Sequence, residues 1–288
     1  MEIVPQLIAN SLIAGSIYAI LTLGFNLIFS TAKFIDMGYG VLTAVGGYAV
    51  FFLVRSLGLP LPIAIPCAMG ISALVSFGLY RSIYAPLRAK KASNTTLLIA
   101  SLGVLTFIQA LIAILFSSQF QTLSGFIGEG RTFEVFGGTM TSVQITAFVI
   151  TAVLFLLLAV LLRKTLFGKA ITAISDDEEV ARMVGINTDK MVGIVFLIAG
   201  AIGGLGGIVV GFDTGIEPIM GLSLLLSAVI AAIIGGIGNL YGGFVGAFLL
   251  AFVENFGIWQ IAGEWKNAIA FGLLIIFLIW RPKGLFPR

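Results

Sequence analysis

Apolar residues run through this chain in long blocks, and the polar residues gather between them. The blocks cover roughly 8–29, 38–54, 62–80, 95–116, 143–162, 191–212, 221–237, 244–260 and 267–280. A straight helix needs ~20 apolar residues to cross a bilayer, so most blocks read as spans. Several are shorter, which predicts broken or half-length helices among them. Eight or nine spans follow, and the block at 221–237 decides between the two counts. Soluble domains carry about 25% charged residues, whereas this chain is 59% hydrophobic and 10% charged. The expected fold class is therefore all-α: a polytopic transmembrane helical bundle, one membrane domain over residues 1–288.

One long polar island interrupts the pattern, residues 168–187, GKAITAISDDEEVARMVGIN. Ser175 and Glu178 have capping-box spacing. Asp176, Asp177, Glu178 and Glu179 crowd what would be a first turn, where the helix dipole favours negative charge. Val180, Met183 and Val184 fall at i, i+3 and i+4 and form one apolar stripe. Gly185 stands where a helix commonly ends in a left-handed residue. These features predict one short helix of about two or three turns, lying between two spans. On the residues alone, a capped surface helix and a docking element remain equally open.

Basic residues set the orientation. Arg81, Arg88, Lys90 and Lys91 share one loop; Arg163, Lys164, Lys169, Arg182 and Lys190 surround the island; Arg281, Lys283 and Arg288 end the chain. By the positive-inside rule these three places are cytoplasmic. Nine spans then put the N-terminus outside, the C-terminus inside, and 117–142 and 212–220 outside; with eight, one terminus moves. The loop 117–142 holds Gly125, Gly128, Gly130, Gly137 and Gly138, which predicts a flexible extracytoplasmic loop. The first block follows Glu2 with no basic stretch and is too long for a signal-peptide core, so it is expected to be the first span.

The chain has 36 glycines, about 12% against a usual ~7%. Gly203, Gly207 and Gly211 stand four apart, as do Gly238, Gly242 and Gly246, giving smooth ridges for close helix approach. The stretch GGIGNLYGG (235–243) lacks the Lys-Ser/Thr pair of a phosphate loop, and no such loop occurs elsewhere. There is no histidine, which removes His relays and His metal ligands. The single Cys67 forms no intrachain disulfide.

Two carboxylates fall at membrane depth. Glu254 lies inside a span beside Asn255, and the balance favours a buried partner for a neighbouring helix over a transport contact. Asp36 lies at the edge of the second block and either caps the helix after it or faces a path. A short echo links the halves: Asp36-Met37-Gly38-Tyr39-Gly40 opens one block and Ile219-Met220-Gly221-Leu222-Ser223 opens another. Paired interrupted helices in two halves point to a central path. Asp36, Gly38, Tyr39, Gly40, Gly221, Ser223 and Glu254 are therefore the candidate path residues.

A family resemblance rests on several of these stretches. Glu179-Val180-Ala181-Arg182-Met183-Val184-Gly185 resembles the "EAA…G" loop of ABC importer permeases. Gly15-Ser16-Ile17-Tyr18-Ala19 with Leu23-Gly24 and Leu27-Ile28-Phe29 looks like the first span of their branched-chain amino-acid group, the LivH-like branch. Thr95 to Gly103, after Pro86-Leu87-Arg88, is similar to the fourth span. Gly168-Lys169-Ala170 and Gly185-Ile186-Asn187 bracket the loop as in that family, and Arg281-Pro282-Lys283-Gly284-Leu285-Phe286 resembles its tail. At residues 35–40 the chain departs from the family's common Asn-Phe-Ala-His-Gly, with Asp36 for Asn and Tyr39 for His.

The resemblance implies a permease of an ATP-driven importer in the inner (cytoplasmic) membrane. Residues 168–187 would be the coupling loop, with Glu179 to Gly185 docking into an ATPase cleft. The partners implied are a second permease subunit, homologous or identical, two cytoplasmic ABC ATPases, an extracytoplasmic solute-binding protein and membrane lipid, with no nucleic acid. No cofactor would be bound by this chain, since ATP and Mg belong to the ATPase. Branched-chain or hydrophobic amino acids are the implied cargo, and a related branch carries urea or short amides. An ion-coupled carrier using Asp36 and Glu254 is the rival reading. A membrane enzyme finds no Ser/Lys, His/Asp or metal-ligand constellation to support it.

Overall fold

The structure is a computed structural model, and it describes residues 3–126, 131–135, 137–259 and 262–286. Gly128 and Gly130 of the outer loop and Arg288 of the tail lie outside the described residues. The helices are α1 (Ile3–Ala32), α2 (Gly38–Arg55), α3 (Leu61–Leu79), α4 (Ala85–Ala89), α5 (Asn94–Phe116), α6 (Ser142–Lys164), α7 (Leu166–Asp176), α8 (Glu178–Met183), α9 (Thr188–Asp213), α10 (Met220–Gly235), α11 (Leu240–Ile258) and α12 (Lys266–Trp280). A single π turn, Tyr80–Tyr84, joins α3 to α4, so the two form one rod. Among the described residues, eight helices are long and apolar enough to cross a membrane, and α10 is a shorter apolar helix. Its 16 residues span about 24 Å, less than the ~30 Å hydrocarbon core.

Burial divides the helices. In α1, 83% of the most apolar window is inside the protein; in the last span the figure is 6%. The outer faces of α5, α6 and α12 carry Phe107, Ile114, Leu156, Leu157, Ile279 and Trp280, all exposed. Such faces suit hydrocarbon surroundings and would be a liability in water.

The two halves repeat one packing scheme. Helix α1 packs on α11 as α9 packs on α3; α2 packs on α3 as α10 packs on α11; α2 lies on α9 as α10 lies on α1. Exchanging α1, α2 and α3 for α9, α10 and α11 preserves every one of these pairs. The short echo at Met37-Gly38 and Met220-Gly221 marks the starts of the matched helices α2 and α10.

Small residues set how close the helices come. A Cβ on Gly207 would overlap the Thr43 carbonyl of α2, and one on Gly46 would overlap the backbone of Gly204. The backbones of α2 and α9 therefore touch directly, as expected of a small-residue ridge. Of the three ridge glycines, Gly203 faces Tyr39 and Leu42 of α2, while Gly211 faces Leu123 and Ile216. The expected second ridge holds for two of its three glycines: Gly242 and Gly246 of α11 press on the Gly235 and Ala231 carbonyls of α10, whereas Gly238 lies before α11 in a left-handed turn at φ +80°.

The tail closes α10. Leu285 and Phe286 N–H groups donate to the Ile234 and Gly235 carbonyls at 2.9 and 3.0 Å. These carbonyls sit in the last turn of α10 and would otherwise lack partners.

The outer loop differs from expectation. Where 117–142 was expected to be flexible, its described part is built. Thr132–Val135 and Gly138–Thr141 pair as an antiparallel hairpin, and the Thr139 N–H donates to Gln6 Oε1 of α1 at 2.8 Å. Gln121 pairs backbone to backbone with Ile216, and Leu123 is fully buried. Glycine content signalled turns here but could not reveal these long-range anchors.

The α2–α9 contact yields a direct test. Gly207→Ala should lower the melting temperature and folded yield of the purified protein, since overpacking typically costs about 1–3 kcal/mol. Gly70→Ala, where a Cβ meets nothing within 4 Å, should leave both unchanged or improved. A Gly207→Ala variant melting with the wild type would contradict the contact.

Candidate functional site

The polar island folds as two helices, not one. Thr165 caps α7 by accepting from the Gly168 N–H at 3.0 Å. Ile171 and Ile174 bury one face of α7, which packs on α1, α6 and α9. That packing carries the helix through Ser175 and Asp176, so Ser175 cannot serve as a cap. Asp177 caps α8 instead, its Oδ1 accepting from the Glu179 and Val180 N–H groups at 2.8 and 3.0 Å. The expected Ser175–Glu178 capping box is thus replaced. The expected helix of two or three turns is a six-residue helix docked end-on to its neighbour.

Helix α8 ends as its sequence predicts. Gly185 has φ +87°, its N–H donates to the Arg182 carbonyl, and the Ile186 N–H donates back to Ala181. This is a Schellman ending, which requires a left-handed residue at the glycine. Ala181 faces inward and is buried. Val180, Met183 and Val184 face outward, exposed by 53%, 82% and 70%. The apolar stripe therefore has no partner among the described residues.

Glu178 fastens this helix to the bundle. Both its oxygens accept from Arg88 Nη2, at 2.9 and 2.8 Å, and Oε1 also accepts from Arg182 Nη2 at 2.8 Å. Arg182 Nε donates to Thr188 Oγ1 at 2.7 Å, which ties α8 to the start of α9. Lys33 Nζ donates to the Ser175 carbonyl. The Arg88 clamp was not among the sequence candidates. Its partner lies 90 residues away, and only the shared basic and acidic character of two loops assigned to one side hinted at it.

The interruption before α2 is a sealed joint. Asp36 is buried, and its Oδ1 accepts from the Gly38 N–H at 2.9 Å and the Tyr84 hydroxyl at 2.7 Å. The Met37 N–H donates to Ser101 Oγ at 3.0 Å. Ser101 lies about 10 Å along α5, so α2 begins well inside the bundle. These first amides of α2 are committed within the chain rather than turned toward a passing carboxylate. Tyr39 is buried where α1, α2 and α9 meet, its hydroxyl against Gly24. Gly40 and Gly221 touch: a Cβ on Gly40 would lie 2.6 Å from the Gly221 carbonyl oxygen. The starts of α2 and α10 thus cross.

The remaining path candidates separate. Ser223 is exposed and lines a cavity of about 640 Å³ together with Gln109, Thr214 and Glu217. Glu254 is buried on α11, where Oε2 accepts from the Tyr18 hydroxyl at 2.8 Å and lies 3.6 Å from Lys266 Nζ. Lys266 also stands 5.7 Å from the Tyr18 ring centroid. Tyr18 and Lys266 were missed as partners because they lie on other helices: Tyr18 on α1, 236 residues away, and Lys266 at the start of α12, a contact that span periodicity does not reveal. No group of three or more acidic, His or Cys side chains that could hold a metal occurs among the described residues.

Residues 7–278 match the family model described as the permease component of the branched-chain amino acid transport system. The chain is 28% identical over 296 residues to the high-affinity branched-chain amino acid transport system permease protein LivH of Escherichia coli strain K12. It is 26% identical over 295 residues to the corresponding permease protein BraD of Pseudomonas aeruginosa. Each match covers 98% of this chain and 95% of the relative. Among solved structures, PsaBC from Streptococcus pneumoniae in complex with Fab matches with a TM-score of 0.53 and 16% identity. That match covers 96% of this chain and 92% of that one, and shows a shared fold.

The Glu254 cluster is open to mutation. Glu254→Gln keeps an acceptor for Tyr18 and loses the charge facing Lys266. Glu254→Leu also strands a buried hydroxyl, a loss of about 1–3 kcal/mol. Melting of the purified protein should therefore fall in the order wild type, Gln, Leu. Equal melting of wild type and Glu254→Leu would show that the cluster does not support the fold.

Proposed function

The chain belongs to the family of permease components of branched-chain amino acid transport systems, and from that premise we propose that it is the membrane subunit of an ATP-driven importer for branched-chain and other aliphatic amino acids. Access would alternate as separate cytoplasmic ATPases push on α8. The observation that carries this reading is the helix itself: capped at both ends, clamped to the bundle, and presenting Val180, Met183 and Val184 to solvent. An exposed apolar knob on a rigid mount is what a cleft in a soluble partner requires.

The clamp supplies a mechanical link. Arg88, which holds Glu178, stands on the same rod as Tyr84, which holds Asp36 at the start of α2. A displacement of α8 would thus reach the Gly40–Gly221 crossing through two side-chain contacts and one helix. The rod contains a π turn, and π turns are often placed at functional positions. The wider complex on this reading contains a second permease subunit, two ATPases and an extracytoplasmic solute-binding protein. It lies in the cytoplasmic membrane with the N-terminus of this chain outside and its C-terminus inside.

The placement of the acids favours this over an ion-coupled carrier. Asp36 and Glu254 both hold committed internal partners, and Asp36 lines none of the described cavities.

Two results are expected. In proteoliposomes with ATPase and binding protein, Met183→Asp should abolish uptake while the permease still inserts, because an apolar anchor in an interface contributes on the order of 2–4 kcal/mol. Gly185→Pro should do the same by forbidding the left-handed ending. Unchanged uptake in Met183→Asp would sink the docking role. Topology is tested separately in a Cys67→Ala background with an impermeant maleimide on intact cells. Cysteine at 124 should label and cysteine at 184 should not; the reverse pattern would invert the orientation.

A further inference from the structure

One cavity unites opposite charges that neither the clamp nor the α2–α10 crossing uses. It lies where α1 begins, α9 ends and α12 begins, the end of the bundle that the proposed topology places outside. Its volume is about 310 Å³, at the small end of ligand-sized cavities of about 300–1,000 Å³. Asp213 closes α9 and lines it from one element; Lys266 opens α12 and lines it from another. Ile13, Ile17 and Leu224 supply an aliphatic wall, and Asn10, Tyr18, Gln144 and Thr214 add uncharged polar groups.

The charges are mounted for use. Asp213 Oδ1 accepts from Gln144 Nε2 at 2.9 Å, which fixes the carboxylate and leaves its second oxygen for another donor. Lys266 is held from behind by Glu254, at 3.6 Å, longer than a hydrogen bond, and its side chain is 38% exposed. Asp213, Glu254 and Lys266 together leave one negative charge in excess, so a lone anion is disfavoured, while Asp213 and Lys266, lining the cavity from different elements, offer separate contacts for an ammonium and a carboxylate. A ligand carrying both charges meets both and adds no net charge. We propose that this cavity is a binding station for a zwitterionic α-amino acid with an aliphatic side chain, in which Asp213 meets the ammonium, Lys266 the carboxylate, and Ile13, Ile17 and Leu224 the side chain. The station leads onward: the larger cavity lined by Ser223 shares Val210, Thr214 and Leu224 with it. A solute released from the station would therefore meet the start of α10 next. The proposal deepens the importer reading and rests on it for the direction of travel, while the site itself stands on the cavity and its charges.

The test titrates purified full-length permease in nanodiscs with L-leucine, 3-methylbutylamine and 4-methylpentanoate, read by tryptophan fluorescence. Trp265 adjoins Lys266 and serves as the reporter. Leucine should bind about tenfold to a hundredfold more tightly than either single-charge analogue, the value of one charged hydrogen-bonding contact. Asp213→Asn should bring leucine down to the level of 4-methylpentanoate, whose own affinity stays put. Lys266→Gln should bring leucine down to the level of 3-methylbutylamine, whose own affinity is kept or raised because Glu254 loses its counter-charge. The retained affinities report that each variant is folded, and the wild-type series decides alone if a variant does not fold. Equal binding of the three ligands by the wild type, no binding of leucine up to tens of millimolar, or wild-type leucine affinity in both variants would overturn the site. Leucine uptake by the complete system without binding here would overturn the station and leave the importer reading standing. Zwitterion-selective binding without ATP-driven uptake would do the opposite.

Discussion

Direct backbone contact between α2 and α9 is the constraint from which the rest of the structure follows. Gly46 against Gly204 and Thr43 against Gly207 bring two helices together with no side chain between them. Such an approach places α2 inside the bundle rather than on its rim, and its N-terminus then has no water to satisfy it. Asp36, Tyr84 and Ser101 meet that need with side-chain partners drawn from α2's own approach and two other helices. The matched helix α10 has the same problem at its other end, and the C-terminal tail solves it with two backbone hydrogen bonds. The interior polar groups of this protein are thus largely consequences of close packing. The functional proposals rest on what that packing leaves unused: the exposed apolar knob of α8 and the charges of the Asp213–Lys266 cavity.

The same constraint makes the bundle suited to transmitting motion. Two helices in backbone contact cannot deform gradually against each other, so displacement has to move them as bodies. The α3–α4 rod carries the two contacts that matter, both at its C-terminal end: Arg88 to Glu178 and, four residues earlier, Tyr84 to Asp36. On the proposed reading, the ATPases act at α8, the rod carries the movement, and the crossing at Gly40 and Gly221 responds.

What the sequence made legible divides along physical lines. Spans were legible because lipid imposes a length and a composition, and each of the nine apolar blocks became a helix. The short α10 falls where the block at 221–237 left the count undecided. Gly185 was legible because a left-handed helix ending has few alternatives to glycine. Ser175 misled because a local capping pattern says nothing of the tertiary packing that carries α7 past it. The Arg88–Glu178 and Tyr18–Glu254–Lys266 contacts were not legible, since periodicity carries no information about which loops or helices meet. The echo between residues 36–42 and 219–225 was short, yet it marked the two helices whose starts cross.

The central claim is that α8 drives the permease through its clamp, and the most direct measurement is the coupling ratio: leucine moved per ATP hydrolysed in proteoliposomes holding the complete transporter. The knob is untouched in Glu178→Gln and Arg88→Gln, so ATPase docking and turnover should persist. The account predicts that both variants hydrolyse ATP at near wild-type rates while moving several-fold less leucine per ATP. A coupling ratio equal to that of the wild type in both variants would contradict it.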